Sequence, residues 1–250
     1  MDTPLFSIIT ITFNAASTLP PTLESVGSQT YQNFEHIIVD GASADDTIAV
    51  ARRLGRSDLR IVSEPDKGLY DAMNKGLRLA RGKYVIFLNA GDAFASPVTL
   101  SQYADASDNY DPDIIYGDTL IVNEDRQIVR ERHLRVPERL TVDSFSNGML
   151  ICHQAFCVKR DLAPEYDMGY RFSADYDWTI KCISRTEPAK CVNLHCVVIH
   201  YLDDGMTEKN KKASLLERFD IMKKHYGLCI ALSRHFSFVP RAIARKLNLH

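Results

Sequence analysis

Two stretches of this 250-residue chain place polar side chains where a phosphorylated ligand would bind. Residues 63–68, Ser-Glu-Pro-Asp-Lys-Gly, form a charged loop in front of a short helical pattern. Residues 84–88 are an apolar run, typical of a strand buried on both faces of a parallel sheet, and Asn89-Ala90-Gly91-Asp92 follows it. Ligands of open α/β sheets lie just beyond the carboxyl ends of the strands. Asp92 therefore stands where a metal-bound diphosphate would lie.

Up to about residue 115, short apolar runs alternate with helical patterns, which is typical of βαβ units. Strands are predicted at residues 7–12, 36–40, 60–63, 84–89 and 113–116. A first helix is expected after the first strand, with Ser17 as its N-cap and Pro20 and Pro21 in its opening turn, and further helices at residues 44–54 and 69–80. This order predicts an α/β fold with a Rossmann-like, mostly parallel sheet flanked by helices.

The pattern changes after Gly117. A β-hairpin is predicted at residues 119–123 and 127–132, a strand at 151–158, a helix at 173–184 and an extended segment at 192–200. From Thr207 the sequence turns helical and basic. A carboxyl-terminal helical extension is therefore expected.

The composition limits the classes of function. It is 45% apolar and 25% charged, which is ordinary for a globular protein, and the formal net charge of −2 gives no reason to expect nucleic acid as a partner. We expect no signal peptide and no membrane span, because the chain has neither a basic start followed by a long apolar run nor an apolar run of spanning length. The protein is expected to be cytoplasmic.

The six cysteines contain no Cys-x-x-Cys pair, which favours reduced, partly buried thiols. An alternative is a zinc site formed by Cys191, His195, Cys196 and His200. Their spacing is irregular, and the apolar residues 197–199 between the last two indicate a strand.

The motif Lys67-Gly68-Leu69-Tyr70-Asp71-Ala72-Met73-Asn74-Lys75-Gly76 resembles a motif of inverting family-2 glycosyltransferases of the GT-A fold. Residues 7–14 and Val39-Asp40-Gly41-Ala42-Ser43 fit the same family, of the type that serves bacterial polysaccharide and O-antigen biosynthesis. The resemblance covers roughly residues 5–205. It implies a glycosyltransferase domain over residues 1–205, with a nucleotide-sugar-binding half (1–117) and an acceptor half (118–205), before the extension at 206–250.

The resemblance implies which residues bind the nucleotide-sugar donor, expected to be a UDP-sugar. Thr12, Asn14 and Asp40 would line the base pocket. The remaining donor-binding residues it implies are Glu64, Asp66, Lys67, Gly68, Asp71, Asn74 and Asn89.

Mg²⁺ or Mn²⁺ is the expected cofactor, with Asp92 as its carboxylate ligand and His200 completing the metal shell. The family usually has Asp-x-Asp or Asp-Asp at this point, whereas here Asn89 and Gly91 leave a single carboxylate. Such a site suits a hard ion held largely by diphosphate and water.

The resemblance places the general base at Asp175, in Phe172-Ser173-Ala174-Asp175-Tyr176-Asp177-Trp178, with Asp177 in reserve. His153, in Cys152-His153-Gln154, would border the donor sugar and the acceptor. A structural interpretation stays open for each residue. Asp92 could cap the helix expected near Pro97, Asp175 and Asp177 could balance a helix dipole, and His153 and Trp178 could belong to the core.

Two other function classes are open. A sugar-nucleotide nucleotidyltransferase would share the sheet and the metal, but it usually needs a glycine-rich loop after the first strand, and residues 12–16 contain no glycine. A non-catalytic nucleotide-sugar-binding module would keep Asp40 and Asp92 but would not need Asp175.

The acceptor implied by the resemblance is a saccharide or a lipid-linked saccharide. Residues 234–247 mix basic, aromatic and aliphatic side chains, so this tail could lie on the inner face of the plasma membrane or pack on the catalytic domain.

Overall fold

The computed structural model describes residues 3–203 and 211–235. The strands are β1 (Phe6–Thr12), β2 (Phe34–Asp40), β3 (Arg60–Ser63), β4 (Tyr84–Phe87), β5 (Ala93–Phe94), β6 (Ile114–Val122), β7 (Ile128–Glu131), β8 (Phe156–Lys159) and β9 (Cys191–Leu202). The helices are α1 (Leu19–Gly27), α2 (Thr47–Leu54), α3 (Leu69–Leu79), α4 (Thr99–Tyr110), α5 (Ala174–Ile183) and α6 (Lys211–Tyr226), and residues 228–235 are also helical.

Within the described residues, the strands form one mixed sheet in the order β3-β2-β1-β4-β8-β6-β9-β5, with β7 paired to β6. The first four strands are parallel, and every residue of β1, β2 and β4 is buried. Helices cover both faces of this part. Leu19 and Leu23 of α1 pack with Ile38 on one face, whereas α3 contacts Ile9 on the other. A Cβ at Gly76 of α3 would lie 2.4 Å from Ile9 Cγ2, so only glycine allows this close approach.

In the second half of the sheet the strand directions are mixed. Strand β8 is antiparallel to β4 and β6, β9 is parallel to β6, and β5 closes the edge against β9. The predicted hairpin is confirmed as β6 and β7. The separate strands predicted at residues 113–116 and 119–123 are one strand, because β6 runs through Gly117 with only an irregularity in its register to β9.

Two local predictions were wrong. The predicted strand at residues 151–158 begins instead with a 3₁₀ turn, His153–Ala155, because Ala155 N donates to Cys152 O at 2.9 Å before β8 begins. Thr18, not Ser17, is the N-cap residue of α1. Residues 236–247 of the predicted basic tail, and Thr207, lie outside the described residues.

His36 lies in the middle of β2 and is a buried titratable group within the sheet. Its Nε2 is 3.0 Å from Thr10 Oγ1, and no partner for Nδ1 occurs among the described residues. Burial lowers the pKa of His36 from 6.5 to about 4, so the imidazole is neutral in the folded protein at neutral pH.

We predict that His36 destabilises the protein in acid. The unfolded chain takes up the proton at pH 6.5 and the folded chain only near pH 4, so the free energy of unfolding falls as the pH drops through this window and then levels off. The contribution amounts to roughly 3 kcal/mol. Urea unfolding of His36→Gln should show a shallower pH dependence than wild type between these limits. An unchanged slope in His36→Gln would refute the prediction.

Candidate active site

The carboxyl ends of β1, β2 and β3 meet at the buried carboxylate of Asp40. Its Oδ1 accepts hydrogen bonds from Thr12 Oγ1 (2.9 Å) and Ser43 Oγ (2.5 Å), and its Oδ2 accepts from Ser43 N (2.9 Å) and Ser63 Oγ (2.7 Å). Burial alone would raise the pKa of Asp40, but these hydrogen bonds hold it below its ordinary value. Asp40 is thus an ionised group that fixes three strand ends. All four acceptor positions of the Asp40 carboxylate are used within the protein. The roles of Asp40 and Thr12 in binding the nucleobase stay predictions.

Phe13 and Asn14 continue from β1 into the loop above these strand ends. Asn14 adopts a positive φ of 48°, and its Oδ1 accepts a hydrogen bond from Ala44 N at 2.9 Å, so it fixes the loop. The side chain of Phe13 is 66% exposed. A Cβ added at Gly41 would lie 3.3 Å from the Phe13 ring and 2.4 Å from Asp66 Oδ2, so the ring and the carboxylate lie next to each other beside Gly41.

An exposed aromatic ring beside a carboxylate suits a nucleobase, which stacks on aromatic faces and hydrogen-bonds to polar groups. Asp66 was predicted from the sequence, whereas Phe13 was missed. The available signal was its position, directly after the last residue of a buried strand at the ligand-binding edge of the sheet.

The charged loop before α3 is held largely by its own side chains. Asp66 Oδ1 accepts from Gly68 N at 2.8 Å, and Asp71 Oδ2 accepts from Lys67 N at 3.0 Å. Gly68 adopts a φ of 113°, which favours glycine. The side chain of Lys67 remains exposed at the start of the helix.

Two further residues that were predicted to bind the nucleotide-sugar donor already contact other residues of the chain. Glu64 Oε1 lies 2.9 Å from Lys75 Nζ in an ion pair. Asn74 is buried, and its amide donates to Tyr166 O (3.1 Å) and accepts from Tyr166 N (2.7 Å). Asn74 therefore connects α3 to the segment before α5, and its donor-binding role stays a prediction.

The loop from Asn89 to Asp92 is held from three directions. Thr22 Oγ1 of α1 accepts from Gly91 N (3.0 Å) and donates to Asp92 O (2.7 Å). The buried Asp92 carboxylate accepts from Leu202 N at the end of β9 (3.0 Å) and from Gln154 Nε2 in the turn before β8 (2.8 Å). Burial raises the pKa of Asp92 to about 7, although these two hydrogen bonds and the nearby Arg126 oppose the shift.

The same loop offers oxygen ligands for a hard cation. Asn89 Oδ1 is buried, and none of the described residues provides it with a hydrogen-bond partner. His200 lies on β9 in register with Ala93, the residue after Asp92, and burial lowers its pKa. Amide and carboxylate oxygens fit Mg²⁺ or Mn²⁺. Since the described chain has no group of three or more His, Cys, Asp or Glu that could hold a metal, diphosphate and water would have to complete the shell.

The alternative zinc site is not supported. Cys191, His195, Cys196 and His200 all lie on the single strand β9, and no metal-binding group of three such side chains occurs within residues 3–203 and 211–235. All six cysteines are free, as predicted.

Asp175 lies in the first turn of α5, half-buried, facing the donor-side helix α3. Its Oδ1 accepts a hydrogen bond from Tyr70 OH at 3.2 Å, and the described residues donate none to its Oδ2. His153 is buried nearby, with Nε2 2.7 Å from Tyr166 OH, and burial lowers its pKa to about 4. Trp178 is buried and stacked on Tyr166 (ring centroids 4.9 Å apart), which confirms its predicted place in the core.

Asp177 faces away from this area. Its side chain is fully buried and lies 2.6 Å from Lys181 Nζ and 2.7 Å from His225 Nε2 of α6. Although burial opposes ionisation, these partners hold the pKa of Asp177 at about 2. Asp177 therefore holds the carboxyl-terminal helix against α5, and the geometry favours Asp175 over Asp177 as a base.

Comparison with known proteins identifies the family of this chain. Residues 7–166 match the family described as Glycosyl transferase family 2. The chain is 36% identical to a PGL/p-HBAD biosynthesis glycosyltransferase of Mycobacterium tuberculosis, with 99% of this chain and 95% of that protein covered. The chain therefore belongs to glycosyltransferase family 2 and is a nucleotide-sugar-dependent glycosyltransferase. Membership of this family excludes the two alternatives, a sugar-nucleotide nucleotidyltransferase and a non-catalytic nucleotide-sugar-binding module.

Solved structures share the GT-A fold. S. aureus TarS (residues 1–349) in complex with UDP-GlcNAc superposes with a TM-score of 0.75 at 18% identity, covering 98% of this chain and 76% of that one. A mannosyltransferase from Pyrobaculum calidifontis in complex with GDP-Man and Mn²⁺ gives a TM-score of 0.63 at 17% identity, covering 100% and 81%. The predicted α/β fold class is thus confirmed.

We predict that Asp177 is needed for stability. In Asp177→Asn the partly exposed Lys181 and His225 lose their negative partner, so the free energy of unfolding should fall by roughly 2 kcal/mol, the range for hydrogen bonds to a charged group. Urea denaturation measures this. Asp175→Asn is the matched control in the same helical turn and should unfold close to wild type. Equal losses in the two variants would contradict the assignment.

Proposed function

We propose that the protein transfers a sugar from a UDP-sugar to a saccharide or lipid-linked saccharide acceptor, with inversion at the anomeric carbon and Asp175 as the general base. The observation that carries the proposal is the hydrogen bond from Tyr70 OH to Asp175 Oδ1. Tyr70 belongs to the donor-side motif and Asp175 to the acceptor side, 105 residues later. The candidate base therefore faces the place where the donor sugar would lie.

The mechanism follows from this arrangement. Tyr70 holds one oxygen of Asp175 and leaves the other to accept the proton of the acceptor hydroxyl. The deprotonated oxygen attacks the anomeric carbon from the side opposite the leaving diphosphate, so the configuration inverts. His153 is poorly suited to be the base, since its ring is buried and its Nε2 is already hydrogen-bonded to Tyr166 OH.

For the donor, Phe13 would stack on the base while Asp66 and the strand ends held by Asp40 border its polar edge. Lys67 and the amino-terminal amides of α3 would face the diphosphate. These roles, and those of Asn14, Gly68 and Asp71 in shaping the loops, are part of the proposal.

Mg²⁺ or Mn²⁺ would be held by Asn89 and Asp92, with His200 on the neighbouring strand. When bound, the ion supplies Lewis-acid neutralisation of the leaving diphosphate. The raised pKa of Asp92 links this binding to proton release, because a coordinating carboxylate must be ionised.

The acceptor is proposed from the relatives and from the carboxyl-terminal surface. The mycobacterial relative takes part in PGL/p-HBAD biosynthesis, and we propose a comparable envelope glycoconjugate, of the polysaccharide or O-antigen type, for this chain. Leu215 and Leu216 of α6 are exposed next to Lys212, which supports peripheral contact of the region after residue 205 with the cytoplasmic face of the membrane. Among the described helices, none is long and apolar enough to cross a bilayer.

We predict that Asp175→Asn lowers kcat by about 10²-fold or more, the range of general-base catalysis. Affinity for UDP should stay within about twofold of wild type, because the base acts only on the acceptor proton. Steady-state kinetics and calorimetry measure the two effects. Tyr70→Phe, which removes only the orienting hydrogen bond, should give a smaller loss in kcat. An active Asp175→Asn enzyme would show that the base lies elsewhere.

A second prediction concerns the metal. The gain in UDP affinity that Mn²⁺ provides over EDTA should largely disappear in Asp92→Asn, because the ion loses its charged ligand. Calorimetric titrations with UDP in both buffers test this, with the exposed Asp118 of β6 giving the control variant Asp118→Asn. Thermal unfolding establishes that each variant is folded. If Mn²⁺ raised the UDP affinity of Asp92→Asn as much as that of wild type, Asp92 would be excluded as a metal ligand.

A further inference from the structure

The tip of the β6–β7 hairpin brings an arginine to the donor site. Asn123 fixes the turn: its Oδ1 accepts from Gln127 N (2.8 Å) and its backbone oxygen from Arg126 N (3.0 Å). Arg126 adopts a φ of +63°, an uncommon conformation for a long side chain. In this turn its Nη1 donates to Gly91 O at 2.6 Å, inside the loop that carries Asp92.

Gly91 is the position where the resembled family usually has a second carboxylate, and this backbone has no room for one. Gly91 has a φ of +99°, and a Cβ there would lie 2.8 Å from Leu202 Cδ2. Its carbonyl is bound by Arg126 instead. The loop therefore has one carboxylate and, beside it, one guanidinium.

Arg126 brings a permanent positive charge to this loop. The Asp92 carboxylate beside it accepts its hydrogen bonds from Leu202 N and Gln154 Nε2 rather than from the guanidinium. The guanidinium is half-buried, and the described residues accept from it only through Gly91 O. Its other N–H groups are free to donate in the forked geometry that matches phosphate oxygens.

We propose that Arg126 binds the diphosphate of the nucleotide-sugar donor directly. It would supply part of the positive charge that a metal ion held by a second carboxylate would otherwise provide. This rests on the proposed donor. It assigns to the hairpin a binding function that the fold alone does not require, and it predicts nucleotide binding that persists in EDTA.

The test is calorimetric titration of the folded, full-length protein with UDP and with uridine, each in EDTA and in Mn²⁺. Arg126→Gln keeps a polar side chain but removes the charge, and Arg126→Lys keeps the charge without the fork. Arg130 is the matched control on the same hairpin, because its partner is Asp203 and it makes no contact with the loop. The same titrations with GDP and guanosine test the alternative that the donor carries guanine instead of uracil.

Arg126→Gln should weaken UDP binding in EDTA at least tenfold, with Arg126→Lys in between, and should leave uridine binding and thermal unfolding unchanged. Arg130→Gln should bind UDP as wild type does. Wild-type UDP affinity in Arg126→Gln under both conditions, or an equal loss for UDP and uridine, would overturn the proposal. A wild-type protein that binds none of these nucleotides would instead overturn the proposed donor, and the role of Arg126 with it.

Discussion

The arrangement of the site depends on one buried carboxylate, that of Asp92. It accepts hydrogen bonds from Leu202 at the end of β9 and from Gln154 in the turn before β8, and the loop around it is bonded to Thr22 of α1. These contacts connect the parallel strands of the first half to the mixed strands of the second. A buried carboxylate must be fully hydrogen-bonded or lose its charge. This explains why the pKa of Asp92 rises to about 7 even with two donors.

A second set of contacts fixes the distance between the donor side and the acceptor side. Asn74 of α3 binds the backbone of Tyr166, and the Tyr166 ring stacks on Trp178 of α5. The same two helices meet at Tyr70 and Asp175. Helix α6 supports α5 from outside, where Glu217 accepts hydrogen bonds from the backbone of residues 171 and 172, directly before the helix that carries Asp175. The candidate base is thus positioned by packing on both of its sides.

The sequence predicted those features that depend on neighbouring residues. The alternation of apolar runs and helical patterns predicted the parallel strands of the first half. The family resemblance placed Thr12 and Asp40 in one pocket, and their 2.9 Å hydrogen bond shows that they are neighbours. Features that depend on distant contacts were missed. The partners of Asp177 lie on α6, the partner of Asn74 is Tyr166, and Arg126 reaches Gly91 across 35 residues. The position of Phe13 directly after β1 was a signal in the sequence, but its exposure beside Asp66 is known only from the structure.

Inverting transfer with one general base can be tested through hydrolysis of the donor, without knowledge of the acceptor. A thermal-shift panel of nucleotide sugars first identifies the donor, since a ligand of the native state raises its stability. Proton NMR then records the anomeric signal of the sugar released in the first minutes, before mutarotation. If the enzyme inverts the configuration, a UDP-α-sugar should release the β-anomer first. An initial α-anomer would contradict both the inverting mechanism and the role of Asp175.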